Sequence, residues 1–220
     1  MSVSVVIPTL NEAERIAATI DAAFAAGATE VIVADGGSDD ATLSLAAAHG
    51  ARVVTGEETR GRQLNQGARA ASGTTLLFVH ADTLLPPGAA LAVSQALDTG
   101  FVFGGFRIEF IEPRFERVAR MINLRTRLTR APWGDQAQFV RRELFLQMGG
   151  YPDMPLMEDY ALARRMKRAG RTILLPLTIR TSARRFAKHG VLRTACTNWL
   201  IVASYHLGVS AQTLARWYRS

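Results

Sequence analysis

Two residues apart, at the end of the apolar run Leu76-Leu77-Phe78-Val79, stand an imidazole and a carboxylate, His80 and Asp82. The run has the composition of a buried strand, and in an extended chain residues two apart share a side. Polar groups at the carboxyl end of such a strand lie where open α/β sheets bind ligands. A carboxylate and an imidazole there suit a divalent cation that also holds phosphate oxygens. Taken alone, a turn-capping Asp before Pro86-Pro87-Gly88 with a hydrogen-bonded His beside it is the better reading. The neighbouring segments reverse that preference.

The elements that would position this pair alternate strand and helix. Val3–Ile7 reads as a strand, and Pro8-Thr9-Leu10-Asn11-Glu12 turns it into a helix reaching Ala26. Val31–Ala34 is the next strand, closed by Asp35-Gly36-Gly37-Ser38-Asp39-Asp40. The two glycines allow a tight turn, and Ser38 or Asp39 is placed to cap a helix through Ala48. Arg52–Val54 makes a third strand, and Arg60-Gly61-Arg62 opens a helix leading back to Leu76. This alternation predicts a mostly parallel sheet with helices on both faces and its loops gathered at one crevice. No Gly-x-Gly-x-x-Gly follows the first strand and no Gly-Lys-Ser/Thr loop occurs, which argues against dinucleotide dehydrogenases and P-loop enzymes. The crevice offers Asp35 and Asp82 with Arg60 and Arg62 between them. A carboxylate for a base N–H, arginines for phosphates and a carboxylate for a metal are complementary to a nucleoside diphosphate.

The second half differs in charge. Residues 1–100 carry 11 Asp/Glu against 5 Lys/Arg, whereas residues 101–220 carry 8 against 21. The later half therefore seeks anionic company. Phe101–Phe110 reads as extended, with Gly104-Gly105 as a point of close approach. Between Arg114 and Arg130 apolar residues recur at helical spacing among six arginines, which suits either a solvated surface helix or contact with a membrane or partner. Trp133-Gly134-Asp135-Gln136 sets an indole, a carboxylate and an amide on one loop, a set suited to a sugar, the ring stacking and Asp135 or Gln136 reading hydroxyls. Ala137–Val140 re-enters the sheet and a helix from Arg141 stops at Gly149-Gly150. Glu158 and Asp159 open a helix ending at Gly170, where acidic residues complement the helix dipole. From Val191 two helices with a turn near Gly208 form a tail carrying large apolar residues and Arg193, Arg216 and Arg219.

The ordered set Val6–Glu12, Val33–Asp40, Arg60–Gly67, Phe78–Thr83, Trp133–Gln136, Gly149-Gly150-Tyr151 and Glu158-Asp159-Tyr160 resembles family 2 glycosyltransferases of the GT-A fold, and more narrowly their small single-domain bacterial members. The resemblance covers roughly residues 3–185 and implies a Rossmann-like α/β fold with a nucleotide-binding half (1–100), an acceptor half (101–190) and a helical C-terminal tail (191–220). It implies that Pro8, Thr9 and Glu12 border the nucleotide, that Asp35 meets the base imide and that Arg60 and Gly61 flank base or diphosphate. Asp82 would take a divalent metal, Mn2+ or Mg2+, as the last residue of the family's Asp-x-Asp element. His80 stands at that element's first position, a departure. An imidazole ligand would favour manganese, but contact with phosphate or a bound water is the expectation. Trp133, Gly134, Asp135, Gln136 and Glu158 would lie around donor and acceptor sugars, and Asp159 would be the general base.

Arg184-Arg185-Phe186 stands where processive relatives have Gln-x-x-Arg-Trp, and the missing Gln and Trp point away from polymer synthesis. The expectation is an inverting, metal-assisted, non-processive transfer of a sugar from a nucleoside diphosphate sugar, UDP foremost, to an acceptor hydroxyl. A sugar nucleotidyltransferase would instead show a Gly-rich basic loop where Pro8–Glu12 stands. A non-catalytic basic module is the other alternative, and no stacking-aromatic RNA motif or zinc finger supports a nucleic-acid partner. The absence of a basic leader before Val3 and the single Cys196 fit a cytoplasmic chain. The tail is expected to seat it on an anionic membrane, to form a homodimer contact, or to close the core.

Overall fold

The computed structural model describes residues 1–56 and 59–219; Ser220 and the Arg219 side chain lie outside the described residues. Eight strands form one sheet: β1 (Val3–Thr9), β2 (Glu30–Asp35), β3 (Arg52–Thr55), β4 (Thr75–Phe78), β5 (Thr83–Leu84), β6 (Phe101–Phe110), β7 (Phe139–Arg141) and β8 (Arg171–Thr181). Their order is β3-β2-β1-β4-β7-β6-β8-β5. The first four are parallel, and β7 then enters antiparallel between β4 and β6. Both halves of the chain thus share a single sheet.

Val5, Val6, Ile7, Ile32, Val33, Leu76 and Leu77 are fully buried, as continuous apolar runs must be when helices cover both faces. One face carries α1 (Ile16–Ala25), α4 (Ala89–Asp98) and α5 (Glu116–Thr129). The other carries α3 (Arg60–Ala70), α6 (Arg142–Gln147) and α7 (Glu158–Ala169) around Phe78, Phe103, Phe145 and Tyr151. Close approach at the expected glycines is real: a methyl on Gly104 would strike the Phe139 ring and stand 2.7 Å from the Ile173 carbonyl oxygen. Gly104→Ala is therefore expected to cost about 1–3 kcal/mol, read as a lower denaturation midpoint at unchanged slope.

Three local expectations differ from the structure. Helix α2 (Thr42–Ala48) has Ala41 at its N-cap and no side-chain cap; Asp40 accepts from Thr42 N at 2.9 Å, while Ser38 accepts from Asn11 N. Strand β8 was not foreseen, because Pro176 and Arg180 break its alternation; it pairs with β6 along most of its length. His80 and Asp82 do not share a side, since β4 ends at Phe78 and the chain turns, Thr83 N donating to His80 O at 3.1 Å. The tail matches its reading: α8 (Arg184–His189) leads to α9 (Val191–His206) and α10 (Ala211–Arg219). Ile201 and Leu214 pack on Met157, so the tail closes part of the core. No helix among the described residues is long and apolar enough to cross a membrane.

Candidate active site

The carboxyl ends of β1, β2 and β4 converge with the start of α7 as the parallel topology requires. His80 Nε2 meets the Arg60 guanidinium. A guanidinium only donates, so Nε2 accepts and Nδ1 carries the proton. Burial, then Arg60 and Arg184, hold the imidazole well below its usual pKa, so His80 is neutral. Arg60 also stands 4.0 Å from Glu158. Gly134 lies between His80 and Asp159: its N–H donates to Asp159 Oδ2 at 2.6 Å, and a methyl there would be 2.9 Å from that oxygen and 3.2 Å from His80 Nε2. Asp159 Oδ1 accepts from Tyr160 N at 2.7 Å. The carboxylate is thus fixed by backbone donors at a helix start and keeps free lone pairs.

Asp82 turns the other way. Its Oδ2 is 3.3 Å from Arg184 Nε, and the same guanidinium binds Glu12 at 2.6 and 3.2 Å. Burial pushes the Asp82 carboxyl up and Arg184 opposes the shift. Arg184, at the start of α8, had no role assigned from sequence.

No cluster of three or more His, Cys, Asp or Glu fit to hold a metal occurs among the described residues. The donor chemistry still suits Mg2+ or Mn2+, which take one or two carboxylates and fill the rest of their shell with phosphate oxygens and water. Asp82 is the fitting ligand, with Glu12 beside it. His80 is not, because its free lone pair already accepts from Arg60.

Asp35 is fully buried and its oxygens accept from Thr9 Oγ1 (2.9 Å), Gly37 N (2.8 Å), Ser38 N (2.7 Å) and Ser38 Oγ. Those hydrogen bonds hold its pKa low against the cost of burial. It therefore clamps the loop after β2 onto the end of β1, where Pro8 pairs with Ala34 and Thr9 with Asp35 itself. Gly61 is buried under Glu158, with the Pro152 carbonyl 3.0 Å from where its Cβ would stand. Arg62 reaches Asp153 at 2.6 Å.

On the Trp133–Gln136 loop the structure separates roles that the sequence left joined. Gln136 is fully buried: it accepts from Thr126 Oγ1 at 2.6 Å and donates to Phe106 O at 3.2 Å. The expectation that it reads a sugar hydroxyl is corrected, since both ends of its amide hold the loop to α5 and β6. Trp133 is half-buried, stacked under Arg125 at 3.6 Å and edge-on to Tyr160. Asp135 Oδ1 is buried without a hydrogen-bond partner among the described residues. Burial raises its pKa, with Arg125 opposing and Asp159 adding to the rise. Below them Gln138 donates to Pro132 O and Asp159 O and accepts from Tyr151 OH. This buried brace fixes the loop relative to α7, and only its tertiary contacts reveal it.

Burial, and then the Asp159 charge, push Glu158 up to about 7 from 4.5, with Arg60 opposing. The folded chain therefore holds a proton between those values that the unfolded chain has released. Stability contributed by this group is full below the lower value and falls as pH rises through the window. Glu158→Gln is expected to flatten that fall, checked by melting temperatures on either side of the window.

A model of the family described as "Glycosyl transferase family 2" matches residues 4–167. A "PGL/p-HBAD biosynthesis glycosyltransferase" of Mycobacterium tuberculosis is 31% identical over 162 residues, 67% of this chain and 62% of the relative. A mannosyltransferase of Pyrobaculum calidifontis, solved with GDP-Man and Mn2+, superposes with TM-score 0.66 at 25% identity, covering 93% of this chain and 61% of that one. Glucosyl-3-phosphoglycerate synthase of M. tuberculosis, solved with Mn2+, UDP and phosphoglyceric acid, gives TM-score 0.57 at 25% identity over 80% of this chain and 68% of its own. The chain thus spans about 62% of the curated relative's length.

Proposed function

Because the chain belongs to glycosyl transferase family 2 and has its GT-A fold, we propose that it is an inverting, metal-assisted, non-processive glycosyltransferase using a nucleoside diphosphate sugar. Asp159 carries this assignment by its position. Its carboxylate is aimed by the Gly134 and Tyr160 N–H groups and stands beside the loop bearing Trp133 and Asp135. There it takes the proton from an acceptor hydroxyl as the oxygen attacks the anomeric carbon. Arg60, and Arg184 beside Asp82, supply positive charge for the departing diphosphate. A divalent cation on Asp82, when bound, supplies further positive charge there. Asp135, beside Trp133 on the same loop, is the carboxylate proposed to meet a sugar hydroxyl.

UDP is the proposed nucleotide, in line with the UDP-bound neighbour; the GDP-Man complex of the other makes GDP the comparison arm. Calorimetry with UDP and GDP, each with and without Mn2+, tests the reading, followed by hydrolysis of the matching sugar nucleotides. Metal-dependent UDP binding and slow hydrolysis are expected. A folded chain that binds neither nucleotide with metal present overturns the reading.

A further inference from the structure

Helix α5 turns its large apolar residues outward. Met121, Leu124 and Leu128, spaced i, i+3 and i+7 and hence on one face, are 70%, 56% and 75% exposed. The inward side is held by Ile122, which packs on the core, and by small and polar groups. Ala119 and Thr126 are buried, and Asn123 both donates to and accepts from the Ile108 backbone at 2.9 Å.

Arginines surround the stripe. Arg117 lies in line with it, Arg120 and Arg127 flank it, and Arg130 follows its end, all exposed. The helix's one acidic residue, Glu116, is held by Arg120 at 3.0 Å. Among the described residues Arg117, Arg127 and Arg130 make no ion pair. Where α5 ends, Arg127, Arg130 and Arg171 line a cleft of ≈ 330 Å³ with Phe101, Thr126 and Thr172. Arg171 lies over the Phe101 ring at 4.5 Å, and among the described residues no acidic side chain lines the cleft.

We propose that this face of α5, with the arginine cleft at its end, docks the protein on an anionic lipid bilayer. Apolar side chains enter the acyl boundary while arginine stems lie along the apolar surface and their heads stay at headgroup level. The cleft takes a lipid phosphate, for which guanidinium groups are the fitting donors. A protein partner fits less well. Protein interfaces favour aromatic anchors as well as Met and Arg, and this stripe has no aromatic residue. A second copy of the chain would set like charge against like charge. The inference rests on surface chemistry alone and stands whichever donor the site takes.

Co-sedimentation of the full chain with phosphatidylcholine vesicles, with and without phosphatidylglycerol, at low and high salt, is the test. Wild type is expected in the pellet only with phosphatidylglycerol, and less so as salt screens the arginines. Removing one cleft charge, by Arg127→Gln or Arg171→Gln, should lower partitioning about fivefold, and Leu124→Ser with Leu128→Ser at least tenfold. All variants should melt and bind UDP as wild type does, since these side chains lie on the surface and outside the site. A wild-type chain that stays in solution with anionic vesicles overturns the proposal. So does unchanged binding by the α5 variants, which would move the contact to Leu192, Trp199 and Leu200, exposed on α9. A wild-type dimer, seen by light scattering and broken by the leucine changes, would assign the stripe to a second copy and overturn it too.

Discussion

Asp159→Asn is expected to leave nucleotide binding intact and to slow sugar transfer by about a hundredfold or more, the scale of a lost general base. The amide keeps the shape of the carboxylate and loses its basicity. It also has one acceptor oxygen where two N–H groups, those of Gly134 and Tyr160, now find partners. One of them is left facing an NH2 group, at a cost on the order of 1 kcal/mol. A melting curve therefore belongs beside the kinetic measurement, because a small loss of stability is expected and a large one would mean the loop has moved. Near-normal transfer by a folded Asp159→Asn protein would pass the role to Asp135, the other carboxylate on that side of the crevice.

Asp82→Ala and Asp35→Ala are expected to fail in different assays. Among the described residues Asp82 touches Arg184 alone of its charged neighbours, and Arg184 keeps Glu12 after the change. Folding should survive while metal-dependent diphosphate binding disappears. Asp35 is the acceptor for four donors. Its removal strands buried polar groups at about 1–3 kcal/mol, so melting should fall and nucleotide affinity follow through a loosened loop. Calorimetry with UDP and Mn2+ alongside thermal melts separates the two. Equal, small effects on binding from both variants would sink the assignment of Asp82.

Much of this arrangement is legible before any coordinates. The run Leu76–Val79 ends in polar residues, the loops after the first strands fall on one edge, and acidic residues open α7; all follow from local periodicity and helix-end electrostatics. What sequence could not give is the direction in which polar side chains turn. Gln136 and Asp135 are neighbours of similar size and polarity, yet one is fully hydrogen-bonded indoors and the other keeps an unpartnered oxygen. That choice depends on Thr126 and Phe106, which the fold brings to Gln136. His80 and Asp82 look like a pair along an extended chain, and a turn after Phe78 sends each to its own arginine. Arg184 lay beyond such reasoning for another reason: its partner Glu12 is 172 residues away, and no local pattern records a contact of that range.

That long reach has a consequence for how such chains can be recombined. The family model's match ends at residue 167, yet the cation between Glu12 and Asp82 comes from residue 184. A chain shortened to that edge would keep both carboxylates and lose the guanidinium that pairs with both of them, leaving Glu12 with Arg15. Exchange of late segments among relatives is subject to the same condition. A transplanted segment must bring an arginine that reaches the host's acidic pair, or the host must lose one of the acids. The unit at this corner of the crevice is the triplet Glu12, Asp82 and Arg184, brought together across 172 residues of chain.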